Sequence, residues 1–420
     1  MRRVLIWIFR SVLGVITLVL LAAAGFLGLA AWDFHQTVLN QHGKLDSQRP
    51  FIKSGSSYRS ASTRVDQTFS VEKSSSEFRV FVLGSSEAMG APYVLPRFHV
   101  LSGHFFGMPN EGGISTWIAK YLERLLPASS VKVVNAANGG FDLQKTVETM
   151  KEVLEVGSPD AIVILEGNNE RPDVDGFRVR DGADLQDVLD RLSDHFELQL
   201  SSAARLARAY RVPTYVLTVP NNIRDWLPQD QAGGGPSNAA NPGYWAKLGR
   251  EQEDRRQYEA ARRSYIRAKD LDYDFGRTRS RWNESIRRLR GPYVHVIDME
   301  RIMFGYAPNG IPGGTLFHDA CHMSLAANRT VAFEVVKRLG ADRGWREKPI
   351  ALADVSPNLF TRGQLRCFFL LKAFRWMTAK WMREGWDSAE APMVFRNAEW
   401  TARQYLLDAK RLDQPDAARR

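Results

Sequence analysis

The stretch FRVFVLGSSEAMG, residues 78–90, sets the reading of the whole chain. Apolar residues dominate Phe78–Leu83, which reads as a strand buried in a sheet. The strand runs directly into Gly84, Ser85, Ser86 and Glu87, and Gly90 follows. Glycine and serine are ordinary turn formers. The end of a parallel strand is also where open α/β sheets bind their ligands. The neighbouring segments decide between a plain turn and a reactive serine.

Downstream the same alternation repeats. TWIAKYLERLL, from Thr116, places Trp117, Ile118, Tyr121, Leu122 and Leu125 on one side of a helix. VKVV from Val131, AIVIL from Ala161, TYVLTV from Thr214 and VHVID from Val294 read as four further strands. Helical patterns fill Leu143–Val156 and Leu185–Tyr210 between them. Short apolar strands alternating with helices predict an α/β fold, a parallel five-stranded sheet covered on both faces, over residues 77–345.

Two segments break the rhythm. QDQAGGGPSNAANPG (Gln229–Gly243) is a glycine-rich loop that opens a charged helical stretch running to about Arg290. Within that stretch Trp245, Leu248, Gly249, Ala261, Tyr265 and Ala268 stand where a tetratricopeptide repeat carries its signature residues. A lone repeat does not stand by itself, so residues 229–290 are expected to be a helical insertion packed on the α/β domain, or a docking site for a protein partner. The second segment, residues 346–420, has a helical pattern. Its stretch LRCFFLLKAFRWMTAKWM, Leu365–Met382, combines four cations with large apolar residues and no acid. It reads as a core-packed helix or as one lying on an anionic bilayer.

The N-terminus carries a different signal. SVLGVITLVLLAAAGFLGLAAW, residues 11–32, is uncharged and long enough to cross a bilayer. Arg2, Arg3 and Arg10 precede it and Asp33 follows it. The positive-inside rule then predicts a single-pass anchor over residues 1–33, with the rest of the chain on the extracytoplasmic side of an inner membrane. Residues 34–76 are polar and serine-rich and read as a linker. The chain of 420 residues has a formal net charge of +10, which favours acidic partners. No zinc-finger spacing or dense basic tract accompanies that charge, so no nucleic-acid partner is expected. Two cysteines, Cys321 and Cys367, allow one bridge at most.

The predicted strand ends share a chemistry. The second ends in Asn135-Ala136-Ala137-Asn138-Gly139-Gly140-Phe141-Asp142, the third in Glu166-Gly167-Asn168-Asn169-Glu170, and beyond the fifth lies His318-Asp319-Ala320-Cys321-His322. Acyl transfer through serine needs a nucleophile, a histidine base, a carboxylate to orient it and donors for an oxyanion. All four types fall on one edge of the sheet.

In that order the segments resemble the SGNH (GDSL-type) hydrolase family. Gly84, Ser86 and Gly90 match its first block and Gly140 its second. Gly167-Asn168-Asn169-Glu170 matches its third, and Asp319 with His322 its last. The resemblance spans about residues 78–340 and implies a flavodoxin-like three-layer α/β/α sandwich. The GNNE form beside a tetratricopeptide-like hairpin is similar to bacterial members that combine the two. The resemblance further implies Ser86 as nucleophile, His322 as base and Asp319 as its orienting carboxylate. Ser86 N–H, Gly140 N–H and the Asn169 amide would form the oxyanion hole. No metal or organic cofactor is implied. Ser85 and Glu170 stand where the family has aspartates.

Three other readings of these residues stand beside this one. Gly84-x-Ser86-x-Ala88 approaches the nucleophile elbow of α/β-hydrolases, which normally follows several strands rather than the first. His318-Asp319-x-x-His322 mimics a zincin helix with a shorter acid. A fold kept only as a partner-binding scaffold would need none of these side chains. The expected substrate is an acylated carbohydrate or lipid of a bacterial envelope, with hydrolysis or acyl transfer to a sugar proceeding through the same acyl-enzyme.

Overall fold

The computed structural model describes residues 49–61, 64–95, 110–171, 182–228, 240–273, 275–345, 350–384 and 391–411, besides isolated positions before residue 49. At its centre are five strands: β4 (Glu77–Gly84), β5 (Ser130–Asn135), β6 (Ala161–Leu165), β7 (Thr214–Leu217) and β8 (Val294–Ile297). They lie in the order β5-β4-β6-β7-β8, every pair parallel. This is the flavodoxin-like order, with the topological switch beside the first strand of the sheet. The register carries a straight row across the sheet, Gly84 opposite Leu165, Leu165 opposite Leu217 and Leu217 opposite Ile297. The loops after these residues therefore emerge along one edge.

Side chains alternate between the two faces of each strand. Val80 and Val82 of β4 join Val163, Leu165, Leu217 and Ile297 in one core, while Phe81 and Leu83 join Ile162, Ile164 and Val216 in the other. The first core is closed by α2 (Ile114–Leu125), α8 (Met299–Tyr306) and α9 (Leu325–Asp342), through Trp117, Tyr121, Met303 and Val335. The second is closed by α3 (Leu143–Val156), α4 (Gly182–Tyr210) and α7 (Ser280–Arg288), through Met150, Phe196 and Trp282. The result is a three-layer α/β/α sandwich. α3 starts where Asp142 caps it, its carboxylate accepting from Lys145 N at 2.8 Å.

Two expectations need correction. The serine-rich stretch 34–76 is not all linker. Phe51–Ser54, Ser57–Ser60 and Thr68–Ser70 form β1, β2 and β3 of a small antiparallel sheet. Two aromatics hold it in place: Phe51 and Phe69 pack edge-on to each other at 5.0 Å and both reach Phe81 of β4.

The second correction concerns the insertion. α5 (Pro242–Asp254) and α6 (Tyr258–Asp270) form its hairpin, but α7 belongs to the sandwich. A polar sequence, SRWNESIRR, hides the two residues that matter, Trp282 and Ile286, which are fully buried against the α4 side of the sheet. The hairpin itself packs on its own domain, with Ala261 and Tyr265 against Ile223 and Ile311.

No disulfide joins the two cysteines, of which Cys321 is buried and Cys367 exposed. The C-terminal helices α10 (Arg362–Glu384) and α11 (Ala391–Arg411) pair with each other. The membrane span expected at 11–32 and the glycine-rich loop 229–239 lie outside the described residues. Among the described residues no helix is long and apolar enough to cross a membrane.

Candidate active site

The site forms where β4 stops. Gly84 has φ of +138°, and a Cβ there would sit 1.9 Å from the Leu165 carbonyl oxygen of the neighbouring strand. Only glycine lets β4 pass so close to β6 before turning. The turn starts α1 (Ser86–Met89) at once and sends the two serines to opposite environments. Ser85 is fully buried and its hydroxyl donates to the Glu87 carboxylate beneath the turn. Ser86 is half-exposed, and its Oγ lies 2.8 Å from His322 Nε2.

His322 comes from a tight loop between α8 and α9. A bridge between Phe317 and Met323 closes the loop, and His318 N–H donates to the His322 carbonyl across it at 2.9 Å. The Asp319 carboxylate turns back on its own loop, with Oδ1 accepting from Cys321 N at 3.0 Å and His322 N at 2.8 Å. Its Oδ2 stands 2.6 Å from His322 Nδ1. Serine, histidine and aspartate thus form one hydrogen-bonded line.

The charges of this line are coupled. Burial alone would raise the Asp319 carboxyl, but the His322 charge and three hydrogen bonds overcome it and hold Asp319 below its usual range. Burial likewise pulls His322 down, and the Asp319 carboxylate more than compensates, so the imidazole sits above its ordinary value.

Three further groups fix the Asp319 loop. Asn222, after β7, donates from Nδ2 to the Asp319 carbonyl at 3.0 Å, and its N–H bonds the Ala320 carbonyl. Arg277, ion-paired with the buried Asp272, in turn donates to the Asn222 carbonyl at 3.0 Å. His318 anchors the other side. Its Nε2 lies 2.5 Å from Tyr93 Oη, its Nδ1 faces Asp408 of α11 at 3.3 Å, and its ring stacks on Tyr405. The loop therefore leans on the C-terminal helices.

The second and third blocks lie beside Ser86. Gly139 is a neighbour, with Ser86 Cβ 3.9 Å from where a side chain would begin. Gly140 has φ of +78° and open space around it, so its glycine serves backbone shape rather than crowding. Among the described residues the N–H groups of Ser86 and Gly140 have no acceptor. Asn169 is half-exposed and donates one amide hydrogen to the Phe141 carbonyl at 3.0 Å, leaving its second free to donate. Arg64, from the stretch expected to be linker, braces this turn with Nη1 on the Ala136 carbonyl at 3.1 Å and its guanidinium 4.4 Å from the centre of the Phe141 ring.

Behind the turn sits a buried acidic cluster, Glu87, Glu166 and Glu170. Burial raises all three carboxyls; Glu166 is driven well up, with the Glu87 and Glu170 charges adding to the effect. Glu170 is pushed up to about 8 by burial, although it accepts the Leu143 N–H of α3 at 2.8 Å. In this chain Glu170 ties the β6 loop to the helix that follows the Gly140 turn.

A metal centre fits these residues poorly. Among the described residues one group of metal-ligand types gathers, Asp319, Cys321 and His322, with ligand atoms within 4.8 Å of one another. Both His322 nitrogens are already hydrogen-bonded, and Asp319 is one of their partners. His318 faces Tyr93 and Asp408 instead of sharing a helix face with His322, as a zincin would require.

No family model and no curated protein matches this sequence. Solved structures do. An alpha/beta hydrolase enzyme from the metagenome of Lake Arreo, Spain, is 16% identical with a TM-score of 0.35, over 64% of this chain and 95% of that one. An acetyl xylan esterase is 14% identical with a TM-score of 0.33, over 65% and 100%. A catalytic mutant of an acetylxylan esterase from Geobacillus stearothermophilus is 14% identical with a TM-score of 0.35, over 63% and 94%. Likenesses this distant carry no conclusion about substrate, which has to be argued from the residues.

Proposed function

We propose that the chain is a serine ester hydrolase of the SGNH type that removes O-acyl groups from an envelope glycan or lipid, anchored to a membrane by residues 11–32. The observation that carries this reading is the hydrogen-bonded line from Ser86 Oγ through His322 to Asp319, at the end of a parallel strand. Each atom in it has a task. His322 Nε2 takes the Ser86 proton as Oγ attacks the ester carbonyl carbon, and the imidazolium keeps its Nδ1–H on Asp319. The oxyanion accepts from Ser86 N–H, Gly140 N–H and the second amide hydrogen of Asn169. His322 then returns the proton to the leaving alkoxide. Water, deprotonated by the same imidazole, releases the acid from Ser86.

The test is covalent and positional. A fluorophosphonate should modify Ser86 and no other residue, as read by peptide mass spectrometry. Turnover of acetyl, butyryl and longer acyl esters, with and without a sugar acceptor, should then show which acyl length fits. Labelling of another residue, or none despite ester turnover, would overturn the assignment.

A further inference from the structure

The outer face of α10 is apolar and lies on a strongly cationic helix. Inward, the helix buries Phe369 and Ala373 in a small core with Tyr93, Tyr405 and Ala409. Outward, Leu370, Phe374 and Met377 are 45%, 44% and 55% exposed. Their spacing of four and then three residues puts them in one stripe, and Cys367 is exposed one turn before them. Single exposed apolar residues are normal, whereas a row of large ones marks a contact surface.

The charge around the row indicates what it contacts. From 362 to 383 the sequence holds Arg362, Arg366, Lys372, Arg375, Lys380 and Arg383 and no acid. Two copies meeting through this helix would bring like charges together, because a two-fold interface apposes the same patch. An anionic bilayer offers the complement, with acidic headgroups for the cations and an acyl boundary for the apolar stripe. The chain length permits it. Residues 33–48 reach at most roughly 55 Å when extended, so an anchor at 11–32 leaves the domain within reach of the bilayer.

We propose that α10 rests on an anionic lipid surface, with Leu370, Phe374 and Met377 at the headgroup–acyl boundary and Arg366, which flanks the same stripe, among the headgroups. The hairpin's other side meets the catalytic loop. Tyr405 and Asp408 hold His318, the residue before Asp319. Docking would therefore hold the Ser86 site close to lipid, one helical hairpin away. The proposal stands or falls independently of ester hydrolysis, since none of these three side chains touches the triad.

Cys367 supplies the probe. The full chain carrying Cys321→Ala is labelled at Cys367 with a polarity-sensitive thiol dye and reconstituted into phosphatidylcholine vesicles with or without phosphatidylglycerol. With the anionic lipid present, the dye should shift to the blue, be quenched by brominated lipid and be shielded from iodide. High salt should reverse this. Leu370→Ser with Met377→Ser should weaken the lipid quenching several-fold while helicity is unchanged. A dye that stays open to iodide in both vesicles overturns the proposal. So does equal shielding in neutral vesicles, which would remove the role of charge. Shielding in detergent that grows with protein concentration also overturns it, in favour of a second copy of the chain.

Discussion

Ser86 Oγ and His322 Nε2 stand 2.8 Å apart although 236 residues separate them in the chain. The adjacent Ser85 lies buried with its hydroxyl on Glu87. Two neighbouring serines are thereby assigned opposite roles. Ser86→Ala and His322→Ala should each lower kcat by on the order of 10⁵–10⁶-fold, and the double variant should lose little more, because triad members act as a unit. Ser85→Ala should keep turnover within about tenfold, although unsatisfying a buried carboxyl costs stability on the order of 1–3 kcal/mol. Steady-state kinetics on one chromogenic ester separates these cases.

The acid limb of the pH profile follows from the His322–Asp319 pair. In the proposed mechanism His322 acts as the neutral base, so its protonation should remove activity. Asp319 holds the imidazole above its ordinary 6.5. The acid limb of kcat/KM should therefore have its midpoint above 6.5, with activity lost as pH falls through it. Asp319→Asn should reduce the rate by roughly 10⁴-fold. It should also move the midpoint down, because the charge that favours imidazolium is gone. An unmoved midpoint would assign that limb to another group.

Glu170 makes a prediction about stability rather than rate. Its folded carboxyl titrates near 8 against an ordinary 4.5. Between those values the folded chain keeps a proton that the unfolded chain has released, so stability falls as pH rises from about 4.5 to about 8. Glu170→Gln keeps an acceptor for Leu143 N–H and cannot ionise. The variant should show a flatter loss of stability across that range, matching the parent near pH 5 and exceeding it near pH 8.5. Urea midpoints at both pH values measure the difference.

These predictions rest on residues that were legible to different degrees. AIVIL at 161–165 and the helix 143–156 fall where the pattern puts them, since a central strand and an amphipathic helix carry their burial in their own residues. Ser86, Asp319 and His322 could be singled out through ordered short motifs, and the structure puts their side chains in hydrogen-bond contact. The β1–β3 sheet was not, because strands of three or four residues among serines give no period, and two phenylalanines do most of the anchoring. α7 hid for a related reason, since Trp282 and Ile286 sit among arginines. The braces were least visible of all. Arg64 reaches Ala136 across 72 residues and His318 reaches Asp408 across 90, distances at which no local spacing signals a contact.

Arg64 tests whether such a brace matters to chemistry. One planar guanidinium both donates to the Ala136 carbonyl and covers the Phe141 ring. Lysine offers a point charge that cannot reproduce both contacts. Arg64→Lys should loosen the turn that carries Gly140, lowering kcat about tenfold with KM nearly unchanged, as expected when an oxyanion donor is misaligned rather than removed. A rise in KM at constant kcat would instead place Arg64 in substrate binding.

Gly249 of the α5–α6 hairpin and Gly305 of α8 make opposite predictions. At Gly249 a Cβ would lie 2.8 Å from both Cδ1 and Cε1 of Tyr265. The ring cannot yield easily, because Tyr265 is fully buried against Ile223 and Ile311 and its hydroxyl donates to Glu253 at 3.0 Å. Gly305, near the end of α8, has nothing within 4 Å of the same construction. Gly249→Ala should therefore destabilise by about 1–3 kcal/mol, the range for forcing a methyl into a packed contact. Gly305→Ala should stabilise by roughly 0.5–1 kcal/mol, since alanine restricts the unfolded chain and suits a helix. Because Ile223 follows directly on Asn222, which holds the Asp319 carbonyl, Gly249→Ala should also lower ester turnover, and Gly305→Ala should not. Thermal melts and kcat on the same two preparations test this. Equal stability changes of the same sign would mean that α5 is not packed against Tyr265 in solution.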